Sequence, residues 1–130
     1  MIVLWCLLVA AGLAAESAAE NGDARFFDRR VAPILTKRCL GCHNNEQKAA
    51  NISFLDRDSL TAAVGPVAGP VVGPVVGPGD PASSLLVRAI RRTGDIKMPP
   101  GPALPPNELA TLTEWVRRGA PFSRRWSLRR

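Results

Sequence analysis

Ligating side chains are scarce in this sequence of 130 residues: it holds three cysteines, one histidine and two methionines, one of them the initiator. That scarcity excludes more than it allows. A tetrahedral zinc site takes about four Cys, His or carboxylate ligands, and there is no second Cys/His pair to complete one. Any site built on two imidazoles of one chain is ruled out as well. No stretch alternates apolar and polar residues as a half-buried strand would, so a thioredoxin-like use of the cysteines lacks its βαβ scaffold. Long apolar runs are confined to residues 2–15, IVLWCLLVAAGLAA, fewer than the ~20 residues that a membrane-spanning helix requires.

That run is followed by ESAAEN, in which Ser17, Ala18 and Ala19 offer small residues where a signal peptidase cuts. Residues 1–19 therefore read as a secretory signal peptide, although no Lys or Arg precedes the apolar run. Export to the periplasm or cell envelope would place the cysteines in an oxidising compartment, where a CxxC pair is either a disulfide or already covalently occupied. The remaining chain divides into a single small domain, residues 20–123, and a basic tail, residues 124–130. A domain of this size gains materially from a cross-link, metal or cofactor.

Along the domain, Phe26, Phe27, Val31, Ile34 and Leu35 recur at helical spacing and predict an amphipathic helix running into Cys39, with Pro33 in its first turn or at a kink. DRDSLTAAVG predicts a short helix capped by Asp56 or Asp58 and stopped by Gly65. Residues 64–81 then carry a period-four Gly-Pro repeat with small apolar spacers. Proline removes donors and glycine weakens a strand, so this segment is expected as an extended, turn-rich loop, either without function or as a flap over a buried group. GDPASSLLVRAIRRTG predicts a helix with Asp80 as N-cap, Pro81 at its first position and Gly94 past its end. PPNELATLTEWVRRGAP predicts another, with Leu109, Leu112, Trp115 and Val116 on one face, Glu108 and Glu114 spaced to meet Arg118, and Gly119 and Pro121 ending it. The expected fold class is all-α, with long proline-rich loops.

Two of the three cysteines and the only histidine lie within CLGCH, residues 39–43. A plain Cys39–Cys42 disulfide would leave His43 without a role. C-x-x-C-H is the attachment motif for c-type haem: two thiols three residues apart reach two vinyl groups of one porphyrin, and the next residue gives iron its proximal nitrogen. The other axial ligand follows by elimination. Met98, in GDIKMPPGP, is the only methionine besides Met1, and Pro99 and Pro100 stiffen its loop. Met/His ligation raises the potential of a haem. Lys97 beside it, or an open iron site, is the alternative. Trp115 is expected in the core and packed against the haem or its propionates.

Taken together, FFDRRVAPILTKRCLGCHN, FLDRDSL, PGDPASSLLVRAI, KMPPG and LATLTEWVRRGAPF resemble the planctomycete-type cytochrome c domain over residues 26–122. The resemblance implies a small cytochrome c-like helical fold, export and one haem c. Residue by residue it implies Cys39 and Cys42 as attachment cysteines, His43 as proximal ligand and Met98 as distal ligand. The sequence departs from the family pattern in its longer Gly-Pro-Val segment and in Pro105, which stands where the last helix usually opens with Ser or Asp. Members of that family usually head a much larger protein, so the chain is expected to be either a stand-alone cytochrome or part of a longer one.

The expected function is electron transfer rather than catalysis, since both axial positions of the iron would be filled. The alternatives are a haem-bearing module of a larger oxidoreductase assembly and, if Met98 does not bind iron, a haem enzyme or gas sensor. A peroxidase would want a distal acid–base group, and no second histidine exists to serve as one. Seventeen Lys and Arg against eleven Asp and Glu give a net charge of +6. The arginines at 117, 118, 124, 125, 129 and 130 would steer docking to a redox partner with an acidic face, and the same balance is compatible with an anionic membrane surface. Nucleic acid is not an expected partner of an exported haem protein.

Overall fold

Pro33 sits inside a helix without breaking it. In the computed structural model, which describes residues 15–64 and 73–129, the backbone is helical from residue 15 to residue 38. Proline has no N–H, and its ring crowds the carbonyl one turn back. A π-helical turn at Phe27–Val31, in which the Ala32 N–H reaches back to the Phe27 carbonyl, lies just ahead of it and resets the ladder. The closing segment Ala32–Arg38 is helix α1, with the proline in its first turn. Phe27, Val31, Ile34 and Leu35 are buried on one side, as the apolar spacing predicted. Of the expected signal peptide, residues 1–14 lie outside the described residues, and residues 15–19 are helical and exposed.

Helix α2, Arg57–Thr61, begins at Asp56, whose carboxylate accepts the Asp58 N–H at 3.1 Å. It stops at Thr61, short of the predicted Gly65, because Ala62 turns extended and leads into strand β1, Ala63–Val64. β1 pairs antiparallel with β2, Gly73–Pro74, a two-residue ladder that the apolar pattern did not predict. The Gly-Pro-Val segment thus leaves and returns at one place, and residues 65–72 within it lie outside the described residues. Its last unit is not filler. Val75 and Val76 are buried, and backbone bonds run from Val76 N–H to the Leu60 carbonyl (2.9 Å), from Leu86 N–H to the Val75 carbonyl (2.8 Å) and from Gly79 N–H to the Val116 carbonyl (2.8 Å).

The helix expected from Pro81 starts at Leu85 instead: α3 is Leu85–Arg91, with Ser84 at its N-cap position. Asp80 does cap, but it caps a turn, accepting the N–H groups of Ala82 and Ser83 at 3.1 and 3.2 Å. The Ser83 bonds hold its carboxyl below the ordinary value. Ser84 is fully buried and accepts the Gly77 N–H at 2.8 Å while donating to the Asp80 carbonyl at 2.8 Å, so it closes that turn from inside. A Cβ at Gly77 would come within 2.7 Å of the Ser83 hydroxyl, so a larger residue there would have to turn that side chain aside.

Helix α4, Pro106–Arg117, follows Pro105 without a side-chain cap and buries Leu112, Trp115 and Val116 as predicted. Gly119, at φ +96°, ends it in the left-handed region that suits glycine. Glu114 meets Arg118 at 3.0 Å, and this bond, together with one from Arg117, holds its carboxyl below the ordinary value. The Arg118 guanidinium also lies 4.0 Å over the Phe26 ring and 3.8 Å from Asp23, tying the first helix across α4. Glu108 turns elsewhere, to Arg38.

The basic C-terminal segment carries structure of its own. Arg124–Ser127 forms helix α5, capped by Ser123, which accepts the Trp126 N–H at 3.2 Å and donates to Asp28. Trp126 is buried, stands edge-on to Phe27 at 5.3 Å and donates its indole N–H to the Phe54 carbonyl at 2.9 Å. Trp115 and Phe122 stack beside them at 5.6 Å. Arg124, Arg125 and Arg129 remain exposed, so the basic charge belongs to an ordered surface. Among the described residues no helix is long and apolar enough to cross a membrane. Replacing Trp126 by Ala should lower the unfolding free energy by about 3–5 kcal/mol in chemical denaturation; a loss within about 0.5 kcal/mol would place this residue outside the core.

Candidate functional site

Past Arg38 the chain makes one more helical turn, in which the Cys39 carbonyl accepts the N–H of Cys42 at 3.2 Å and of His43 at 3.0 Å. This turn brings Cys39, Cys42 and His43 to the wall of one cavity of about 280 Å³. No disulfide joins the two thiols. Distant parts of the sequence supply the remaining wall: Ile52 and Phe54, Val75 from the end of the repeat, Leu86 and Ile90 from α3, and the loop carrying Met98. All four residues that the sequence proposed as haem attachments and ligands therefore meet at one cavity. Lys97 is exposed and is not on its wall.

The His43 ring is held by its own loop. Its Nδ1 lies 3.0 Å from the Ala49 carbonyl oxygen. A carbonyl only accepts, so Nδ1 carries a proton, and the nitrogen left to offer a lone pair to a metal is Nε2. The loop is fastened on both sides of this bond, by Ala49 N–H to the Cys42 carbonyl at 3.0 Å and by Phe54 N–H to the His43 carbonyl at 2.9 Å. Phe54 also sets its ring edge-on to the imidazole at 5.8 Å. An imidazole with Nδ1–H bonded to backbone carbonyl is the arrangement found in histidine metal ligands, because it sets both tautomer and orientation.

The charge on the wall comes from Arg38, whose guanidinium makes a two-pronged contact with Glu108 of α4, Nε to Oε2 at 2.9 Å and Nη2 to Oε1 at 3.1 Å. The Glu108 bond raises the Arg38 pKa. Cys39 lies beside this pair. Burial pushes its thiol up to about 12 from an ordinary 9.0, with Glu108 adding to the rise and Arg38 opposing it. Cys42, by contrast, is exposed.

Met98 is positioned from α3. Its N–H donates to the Ala89 carbonyl at 3.0 Å, and Arg92 donates to the carbonyls of Pro99 (3.3 Å) and Gly101 (2.9 Å). Trp115, expected in the core and against the haem, takes only the first place. It is fully buried between Phe27 and Phe122, gives its indole N–H to the Pro121 carbonyl at 2.9 Å and is not on the cavity wall. Sequence reasoning missed Ala49, which acts through its carbonyl and so leaves no side-chain signal. It also missed Arg92 and the Arg38–Glu108 pair, whose partners are set only by folding. Among the described residues no group of three or more His, Cys, Asp or Glu could hold a metal ion, so a purely protein-ligated metal centre has no ligand set there.

An apolar cavity whose wall presents two thiols, a tautomer-locked imidazole and a thioether fits a covalently attached haem. An all-α domain carrying CxxCH on such a wall defines a small c-type cytochrome. The family model for Planctomycete cytochrome C matches residues 39–102, which supports a planctomycete-type cytochrome c domain over that stretch. Comparison with curated proteins and with solved structures returned no match. A cytochrome c domain implies covalently bound haem c and a role in electron transfer.

The contrast between the thiols is measurable in the haem-free chain. Cys42 should react with iodoacetamide near neutral pH, and Cys39 should follow only as the pH nears 12. Because the folded thiol gives up its proton later than the unfolded one, the unfolded state loses protons first above the ordinary 9.0, and folding stability should fall from there to about 12. Equal alkylation rates at neutral pH, read by peptide mapping, would contradict the burial of Cys39.

Proposed function

We propose that this chain is an exported mono-haem c-type cytochrome that transfers single electrons, with Cys39 and Cys42 as thioether attachments and His43 and Met98 as axial ligands. The observation that carries the proposal is the His43 ring, whose Nδ1–H is engaged by the Ala49 carbonyl, leaving Nε2 as the nitrogen to meet iron on the same wall as both thiols and Met98. Haem bound there supplies a one-electron Fe(II)/Fe(III) couple. The chain's own residues do the rest. Ile52, Phe54, Val75, Leu86 and Ile90 keep water from the cavity, which disfavours the more highly charged oxidised state and raises the potential. The Met98 thioether acts in the same direction.

Export rests on the apolar residues 2–15 and the small residues at 17–19. A redox partner with an acidic face is supported by the ordered arginines of and after α5 and by Lys37 and Arg125, which line one surface cleft with Trp126. A carrier is favoured over an enzyme because the ionisable groups on the cavity wall, among the described residues, are the two thiols, His43 and an Arg38 already bound to Glu108.

Expression with haem-maturation machinery should yield a c-type pyridine haemochrome that survives acid-acetone extraction, and the oxidised protein should show the weak far-red thioether-to-iron band. Met98→Ala should keep the covalent haem, lose that band and lower the reduction potential. Covalent haem without the band in the wild type would remove Met98 from the iron. Absence of covalent haem would overturn the proposal.

A further inference from the structure

Arg92 occupies a position that its backbone does not favour. It ends α3 with φ +60° and ψ +31°, the left-handed conformation that glycine adopts without steric cost and that other residues avoid. The nearest glycine in sequence, Gly94, is not the residue placed there. The side chain supplies a reason for arginine. Its Nη1 reaches the carbonyls of Pro99 at 3.3 Å and Gly101 at 2.9 Å, in the turn that follows Met98, whose own N–H is anchored on the Ala89 carbonyl. Pro99 and Pro100 have no N–H, so this turn has few backbone donors of its own with which to close. A charged donor from outside is what such a loop lacks.

We propose that Arg92 is a positioning residue for the distal ligand: by clamping the 99–101 carbonyls to the end of α3 it holds the Met98 thioether in the cavity against competing ligands. This rests on the assignment of Met98 as axial ligand. It adds that the strength of that ligation is set by a residue that does not touch the iron.

The test uses the matured holoprotein and separates the side chain from the helix cap. Arg92→Gly suits the left-handed position and removes only the clamp, so thermal unfolding should not fall below that of the wild type. Its far-red thioether band should weaken, and added imidazole should displace Met98 at least about tenfold more readily, tenfold being the low end for losing even one of the two charge-assisted hydrogen bonds. Hydrogen exchange at the Met98 amide should accelerate, a readout independent of electron transfer. Arg92→Lys should restore part of the imidazole resistance. If the wild type shows the band and Arg92→Gly matches it in band, imidazole affinity and exchange, the clamp is refuted while Met98 ligation stands. If the wild type itself lacks the band, both assignments fall together.

Discussion

The hydrogen bond from His43 Nδ1–H to the Ala49 carbonyl is the constraint on which the rest of the site depends. It decides which nitrogen is free, and it does so with a backbone acceptor that side-chain chemistry cannot vary. The segment from 42 to 49 must close on itself for that bond to form, which the Ala49 N–H bond to the Cys42 carbonyl secures. Lys48, Ala50 and Asn51 adopt positive φ within and after this loop, a tight path for residues other than glycine. Strain of this kind persists where surrounding bonds over-determine it. Here those bonds run to Cys42 and His43, two residues of the attachment motif.

Two apolar assemblies share the helices of this small chain. One is the aromatic cluster of Phe27, Trp115, Phe122 and Trp126, which locks the first helix, α4 and α5 together. The other is the cavity wall, drawn from the motif turn, residues 49–54, the end of the repeat, α3 and the Met98 loop. Phe54 joins them: its ring meets His43, and its carbonyl takes the indole N–H of Trp126. A domain this small has little apolar surface to bury, so a group that fills the second assembly adds to stability as well as to chemistry.

The Gly-Pro-Val segment is read differently at its two ends. Its tip lies outside the described residues, but its base is paired, and its final Val75 and Val76 are buried in the core. Proline at Pro74 withholds one donor, and the neighbouring N–H groups find carbonyls on α2 and α4 or, at Gly77, the Ser84 hydroxyl. A repeat that looks like low-complexity loop therefore contributes Val75 to the cavity wall.

Much was legible in the residues alone. Apolar spacing located the first helix and α4, and CLGCH and the lone Met98 singled out the four residues that meet at one cavity, because rare residue types in a fixed order stand out locally. Helix ends were less legible: Asp80 and Pro81 carry good start signals, yet the buried Ser84 and its bonds moved the start to Leu85. The packing of the basic tail was not legible because four arginines outweigh one tryptophan in the composition of residues 124–130, whereas Trp126 is decided by the space beside Phe27 and the carbonyl of Phe54. Which groups hold His43 and the Met98 loop in place, the Ala49 carbonyl and Arg92, was a matter for the tertiary structure alone. Both work through backbone carbonyls, and a carbonyl is the same at every position until folding gives it a neighbour.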